Sequence, residues 1–171
     1  MRILIVGAGA LGGLVGAHFA EAGEDLVLLE INRARARLLN ETGLNLSDAD
    51  TGERCVPIKV ACSVDGLEPF DLVFVAVKSY ETEDALRGVM SVITPATLIL
   101  SMQNGIGNTE TMAGIVSAGQ VLCGITYHSI QHTGPNRLRY RQGIKPIQIA
   151  PMTGRPTPAC EAVGMAFRAA G

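Results

Sequence analysis

The chain has 171 residues, of which 47% are hydrophobic and 18% charged, and its formal net charge is −2. This length fits one domain with a substantial core, and the charge offers no basic surface for a nucleic acid. No apolar run reaches the roughly 18 residues of a membrane span. We therefore expect a soluble, cytoplasmic domain with neither a nucleic acid nor a membrane as partner.

A short apolar run at the N-terminus leads directly into a glycine-rich turn of the form GxGxxG. In a Rossmann fold, the first glycine permits the tight turn, the second lets the backbone approach a diphosphate, and the third lets the helix pack closely. The N–H groups and the positive end of the following helix then face the phosphates. The residues predicted to bind a dinucleotide here are Gly7, Ala8, Gly9, Ala10, Leu11 and Gly12.

The first half of the chain alternates between strand and helix patterns. After the turn, we predict a helix over residues 11–22, a strand over 25–30, a helix over 33–41 capped by Asn32, and extended segments over 44–47 and 55–60 around a turn at Asp48, Asp50 and Gly52. We interpret the two extended segments as a hairpin-like insertion at the edge of the sheet.

The second half continues the alternation and then changes. We predict a strand over residues 70–77, a helix over 81–92, a strand over 97–102, a helix over 109–116, strands over 121–130, 136–141 and 147–150, and a helix over 158–170. The alternation predicts an α/β fold with a doubly wound, mostly parallel Rossmann sheet. The three late strands predict an appended C-terminal β meander.

An acidic residue ends the second predicted strand. Glu30 lies 18 residues beyond Gly12, where a carboxylate can accept both hydroxyls of an adenosine ribose. A 2′-phosphate would meet this negative group at close range, so Glu30 favours NADH over NADPH. Arg33 and Arg35 follow and could bind a 2′-phosphate if the loop curls, and Glu30 could also be a simple exposed acid.

Two polar residues follow the central strands. Lys78 comes directly after the strand 70–77, and Asn104 follows the strand 97–102. Open α/β sheets bind ligands at the carboxyl ends of their strands, so both side chains could reach a cofactor or substrate. The alternatives are that Lys78 begins a solvated helix and that Asn104 forms an ordinary Asn-Gly turn with Gly105.

The histidines and cysteines indicate no metal site or hydrolytic centre. His128 lies within an apolar strand pattern, where a structural role is more common than proton donation, and His132 and His18 carry weaker signals still. No CxxC pair is present, so we expect reduced, buried thiols and no metal. These cysteines are Cys55, Cys62, Cys123 and Cys160.

Four motifs in this order resemble the ketopantoate reductase (2-dehydropantoate 2-reductase) family. They are the turn from Gly7 to Gly12, residues 77–82 (VKSYET), residues 103–107 (QNGIG), and residues 124–128 (GITYH) followed by 134–137 (GPNR). The resemblance covers essentially the whole chain. It implies an NAD(P)H-dependent oxidoreductase that reduces a small 2-oxo acid, ketopantoate, to pantoate in pantothenate and coenzyme A biosynthesis.

The resemblance also implies roles for individual residues. Lys78 matches a lysine near the cofactor ribose and the substrate, Asn104 matches an asparagine that touches nicotinamide and substrate, and Ile130 falls where the backbone contacts the cofactor. NADPH is the usual cofactor of the family, but Glu30 and Ile31 stand where the family commonly has an arginine for the 2′-phosphate.

The family has a second, helical domain that supplies the proton-donating lysine, most substrate contacts and the dimer interface. We therefore expect residues 1–171 to be the dinucleotide-binding domain, inactive by itself, with Lys78 and Asn104 positioning the reactants. A homodimer is possible for the full-length protein. The alternatives are a stand-alone dinucleotide-binding or sensing module and a related hydroxyacid dehydrogenase with another substrate.

Overall fold

The computed structural model describes residues 1–48 and 52–171. The strands are β1 (Arg2–Val6), β2 (Asp25–Leu29), β3 (Leu44–Asp48), β4 (Gly52–Val56), β5 (Val60–Ala61), β6 (Leu72–Val75), β7 (Leu98–Ser101), β8 (Val121–Ile125), β9 (Ser129–Gly134), β10 (Arg137–Arg141) and β11 (Gln148–Pro151). The α-helices are α1 (Ala10–Glu21), α2 (Arg33–Thr42), α3 (Thr82–Arg87), α4 (Asn108–Ala113) and α5 (Pro158–Ala170).

The main sheet has seven strands in the order β11-β8-β7-β6-β1-β2-β5. All neighbouring pairs are parallel except β11 with β8. Alternate residues of β1 enter different cores, because Ile3 and Ile5 pack with α1, α2 and α5 whereas Leu4 and Val6 pack with α3 and α4. Helices thus cover both faces, which confirms the predicted doubly wound, mostly parallel sheet.

A smaller sheet of four strands, in the order β4-β3-β10-β9, lies on the other side of α1. Its buried residues Leu44, Leu46 and Leu138 belong to the same core as α1. The helix is therefore enclosed between two sheets, and residues 12–17 and Phe19 are buried.

Glycines let α1 approach both sheets closely. A Cβ at Gly12 would lie 2.1 Å from the Gly7 carbonyl oxygen, and one at Gly13 would lie 3.1 Å from Leu138 Cδ1. One at Gly16 would lie 3.3 Å from Ile5 Cδ1 on the main sheet. The helix is therefore in contact with the main sheet on one side and with the smaller sheet on the other.

The smaller sheet corrects two predictions. Strands β3 and β4 form the expected antiparallel hairpin, but β3 pairs with β10, so the hairpin belongs to a separate sheet and not to the edge of the main one. The strand next to β2 at that edge of the main sheet is β5. Of the predicted turn, Asp50 lies outside the described residues.

The prediction of a single appended meander is also wrong, because its strands are divided between the two sheets. The predicted strand 121–130 is two strands, with β8 extending the main sheet and β9 pairing with β10 in the smaller one. Residues 126–128 leave the first sheet and carry the chain to the second. The apolar character is continuous through this crossing, which hid the break from the sequence.

The predicted helix 81–92 is interrupted. It consists of a 3₁₀ turn at Ser79–Glu81, the short α3, and a second 3₁₀ turn at Met90–Val92. Gly88 caps α3, and glycine costs about 1 kcal/mol relative to alanine inside a helix. The break allows Val89 and Val92 to be buried together, each 1% exposed.

Burial of the cysteines was also predicted wrongly for three of the four. Cys55, Cys62 and Cys123 are exposed, whereas Cys160 on α5 is buried, and burial raises the pKa of its thiol. Cys55 alternates with buried Val56 on β4, so it falls on the outer face of the smaller sheet. All four thiols are free.

None of the helices in the described part of the chain is both long enough and apolar enough to cross a bilayer.

We expect Gly12→Ala to lower the free energy of unfolding by about 2 kcal/mol, because the added methyl group must displace the Gly7 carbonyl. Urea denaturation measures this change. Gly164→Ala on α5 is the matched control, since its Cβ meets only the Arg168 guanidinium at 3.6 Å. Equal stability of the two variants would contradict the close approach of α1.

Candidate dinucleotide site

The candidate site lies along the edge of the main sheet where the parallel strands end. Asn104 follows β7, Lys78 follows β6, the glycine turn follows β1, and Glu30 follows β2. Neighbouring strands are about 4.8 Å apart, so this row spans about 14 Å. The structure thus places the four predicted parts of the site on one edge, in an order that suits an elongated ligand.

The glycine turn lies where the strand order reverses. From β1 the chain first builds outward through β2 to β5, and then returns to place β6 on the other side of β1. Ligands of open α/β sheets bind in the crevice at such a switch point. The Gly7 N–H donates to the Leu29 carbonyl at 3.1 Å, and the Ala76 N–H donates to the Val6 carbonyl at 2.9 Å, which fixes both walls of the crevice.

The start of α1 offers free hydrogen-bond donors. Its first helical bond runs from the Gly13 N–H to the Gly9 carbonyl at 2.8 Å, and Gly9 provides no side-chain cap. Within the described residues, the N–H groups of Ala10, Leu11 and Gly12 therefore have no carbonyl acceptor in the helix. Such donors, together with the helix dipole, suit the phosphates of a dinucleotide.

Gly9 and Gly12 have different surroundings. A Cβ at Gly9 would meet only the Ala76 carbonyl oxygen, at 3.8 Å, and its φ of −66° is available to any residue. The protein itself therefore does not require glycine at position 9. The space beside it is open to a ligand, and this open cradle at the helix start fits a diphosphate.

Glu30 is held firmly at the end of β2. Its Oε2 accepts from Arg35 Nη1 at 2.5 Å, and its Oε1 accepts from the Asn32 N–H at 2.9 Å. A carboxylate has about four acceptor positions, so two remain for ribose hydroxyls. Arg35 is occupied by this contact, whereas Arg33 is exposed at the first position of α2.

Gln103 joins the loops that carry Lys78 and Asn104. Its Nε2 donates to the Val77 carbonyl at 2.7 Å and to Thr82 Oγ1 at 2.8 Å, and its Oε1 accepts from Ser101 Oγ at 2.9 Å. This half-buried amide therefore fixes the spacing between the ends of β6 and β7.

Asn104 and Lys78 are presented to solvent on these loops. The Asn104 carbonyl accepts from Ser79 Oγ at 2.8 Å and from Asn108 Nδ2 at 3.2 Å, which anchors its backbone and leaves its side chain exposed. Lys78 is exposed as well. The predicted Ile130 lies on β9, half-buried and opposite Tyr140, on a strand that packs against α1.

His132 lies beside the site, although the sequence indicated only a turn residue. Burial is the main cause that lowers its pKa, and the positive charges of Arg35 and Lys78 lower it further. A hydrogen bond with the Gly134 backbone and the charge of Glu30 act in the opposite direction. The His132 side chain, which is exposed on β9, therefore lies close enough to Arg35, Glu30 and Lys78 to be affected by their charges.

The other histidines have structural surroundings. His18 Nδ1 lies 3.0 Å from the Ala170 carbonyl oxygen, and its ring meets the Tyr140 ring edge-on. His128 Nδ1 lies 3.0 Å from Thr126 Oγ1, and its pKa is lowered by burial first and by the charge of His18 second. These contacts favour the structural interpretation of both residues. His128 lies after β8 and not within a strand.

Sequence reasoning missed the structural roles of two residues that build the site. The sequence indicates Gln103 only as part of the QNGIG motif, and Arg35 only as a possible ligand for a 2′-phosphate. Several of their partners, such as Thr82 for Gln103 and the Pro135 carbonyl for Arg35, are distant in the chain. Only the fold brings these groups together.

Comparison with known proteins identifies similar chains. A family model described as ketopantoate reductase PanE/ApbA matches residues 3–154. A 2-dehydropantoate 2-reductase of Pyrococcus horikoshii is 35% identical over 152 residues, which are 88% of this chain and 48% of that protein. One of Archaeoglobus fulgidus is 34% identical over 99% of this chain and 54% of its own length.

A solved structure gives the same result. The crystal structure of 2-dehydropantoate 2-reductase from Geobacter metallireducens GS-15 matches with a TM-score of 0.90 and 29% identity, covering 100% of this chain and 56% of that one. The chain spans about half the length of the curated relatives it matches.

We expect Gln103→Leu to lower the free energy of unfolding by about 2 kcal/mol, because the Val77 carbonyl and the Thr82 hydroxyl lose their donor. Urea denaturation tests this. Gln131→Leu is the control, since Gln131 is exposed on β9 and its change should stay within about 0.5 kcal/mol. A smaller effect at position 103 than at position 131 would contradict the bridging role.

Proposed function

We propose that this chain, which belongs to the ketopantoate reductase PanE/ApbA family, binds the dinucleotide of an NAD(P)H-dependent 2-oxo acid reductase. The observation that carries the proposal is the open cradle at Gly9, beside the free N–H groups of α1, where a Cβ would meet only the Ala76 carbonyl oxygen, at 3.8 Å, among the described residues. The family match over residues 3–154 supports the same conclusion.

The proposed substrate is ketopantoate, which would be reduced to pantoate for pantothenate and coenzyme A biosynthesis. The names of the relatives support this choice, since those of Pyrococcus horikoshii and Archaeoglobus fulgidus are called 2-dehydropantoate 2-reductase. As those relatives are about twice as long as the chain, we also propose that a further, helical domain supplies the proton donor, most substrate contacts and a dimer interface.

The proposed cofactor is NAD(P)H, with NADH favoured. The Glu30 side chain is only 11% exposed. Because water screens charges weakly at such a site, the carboxylate would repel a 2′-phosphate placed next to it. Its remaining acceptor positions suit the two hydroxyls of an unmodified ribose. The crevice beside Gly9 would hold the diphosphate. We also propose a cytoplasmic location for the protein.

The bound cofactor would supply a hydride for the carbonyl carbon of a 2-oxo acid. The residues of this chain would bind and orient the cofactor and the 2-oxo acid. Lys78 would place a positive charge near the substrate carboxylate or a ribose, and Asn104, whose backbone is fixed by Ser79 and Asn108, would present its amide to the reacting groups. Both are positioning roles, and Ile130 would contribute a backbone contact.

We expect Gly9→Ala to weaken dinucleotide binding at least tenfold, because its methyl group would occupy the space proposed for the diphosphate. The unfolding free energy should fall by about 1 kcal/mol or less, since Gly9 is the N-cap of α1 and, among the described residues beyond its chain neighbours, the nearest atom to the new Cβ is 3.8 Å away. Calorimetric titration with NADH and NADPH measures binding, and Gly119→Ala is a control with equally open surroundings. Failure of the unsubstituted chain to bind either nucleotide would refute the proposal.

With the proposed helical domain present, the protein should reduce ketopantoate faster than unrelated 2-oxo acids. Asn104→Ala should lower kcat/KM by about 100-fold through lost orientation, while the unfolding free energy changes little because the side chain is exposed. Steady-state kinetics over a panel of 2-oxo acids tests both statements. Equal rates on unrelated acids would count against ketopantoate as the substrate.

A further inference from the structure

The guanidinium of Arg35 joins three segments that are distant in the chain. It donates to Glu30 Oε2 after β2, to the Ala8 carbonyl in the glycine turn, and from Nε to the Pro135 carbonyl at 3.0 Å in the turn between β9 and β10. We call this set of contacts the Arg35 clamp. The Arg35 clamp connects the main sheet, the glycine turn and the smaller sheet at one point.

The clamp is built on a fixed base. Arg35 is the third residue of α2, and its N–H donates to the N-cap side chain of Asn32 at 3.0 Å. The arginine side chain is 21% exposed and that of Glu30 is 11% exposed, so water competes weakly for their contact. A planar guanidinium with five donors can serve three acceptors at once, which an ammonium on a flexible chain does not do.

We infer that Arg35 is a positioning residue for the adenosine end of the dinucleotide site, and that its charge moderates the discrimination against a 2′-phosphate. This inference rests on the proposed function. The clamp orients the Glu30 carboxylate toward the ribose and holds the Ala8 peptide, so the neighbouring N–H groups keep their direction. The positive charge of Arg35 also offsets part of the repulsion between Glu30 and a 2′-phosphate.

The two roles respond differently to substitution. Arg35→Met removes both the bonds and the charge, so NADH affinity should fall about tenfold through lost preorganisation. NADPH affinity should fall a further fivefold to tenfold or so, because Glu30 is left uncompensated. Arg35→Lys keeps the charge without the three-way geometry, so it should restore the ratio of the two affinities but not their absolute values.

Arg37→Met is the matched control. Arg37 lies on the same helix and also pairs with a glutamate, Glu41, but these side chains are 80% and 56% exposed. Both nucleotide affinities of this variant should stay within about twofold of the unsubstituted chain, since exposed pairs contribute little. Isothermal titration of the chain and the three variants with NADH and with NADPH gives the affinities.

Amide hydrogen exchange without nucleotide provides a second readout. In Arg35→Met, the hydrogen-bonded amides of Gly7 and Gly13 and the amides of residues 134, 136 and 137 should exchange faster, whereas Arg37→Met should leave them unchanged. Equal losses of NADH and NADPH affinity in Arg35→Met would overturn the charge role. Losses no larger than those of Arg37→Met, with unchanged exchange, would overturn the positioning role. If the unsubstituted chain bound neither nucleotide, the proposed function would fail first and the positioning role with it.

Discussion

The enclosure of α1 between two sheets is the constraint on which the rest of the structure depends. Gly12 faces the main sheet, where a Cβ would lie 2.1 Å from the Gly7 carbonyl oxygen, and Gly13 faces the smaller one, where a Cβ would lie 3.1 Å from Leu138 Cδ1. Because the helix approaches β1 and β6 this closely, its N-terminus lies within the crevice where the strand order reverses. The packing that forms the core therefore also places the free N–H groups of the helix at the candidate site.

Much of the fold and site follows from rules that act over short stretches of sequence. Asn32 caps α2 as expected, and α5 has the predicted bounds because Thr157 caps it and a proline begins it. The same holds for the row of Glu30, the glycine turn, Lys78 and Asn104, since parallel strands end at a common edge. A pattern of alternating strands and helices is sufficient to predict that row.

The rest depends on partners that sequence patterns do not specify. Leu46 pairs with Leu138, 92 residues away, and an alternation of apolar residues does not indicate which strand or sheet receives it. The sequence prediction therefore assigns the strands of the smaller sheet to two separate elements, a hairpin at the edge of the main sheet and a C-terminal meander. The contact of Arg35 with the Pro135 carbonyl depends on the same long-range pairing, since the pairing of β10 with β3 brings the turn that carries Pro135 to α2.

The two glycines at positions 9 and 12 separate structural from ligand-binding requirements within one motif. Gly12 is demanded by the protein, because a Cβ there overlaps the Gly7 carbonyl oxygen. Gly9 meets no such obstacle, and its backbone conformation is open to every residue. A turn that served only to connect β1 with α1 would accept a side chain at position 9. Because position 9 has no side chain, a space remains of the kind that a diphosphate fills. It lies beside the N–H groups at the start of α1, which have no acceptor within the helix.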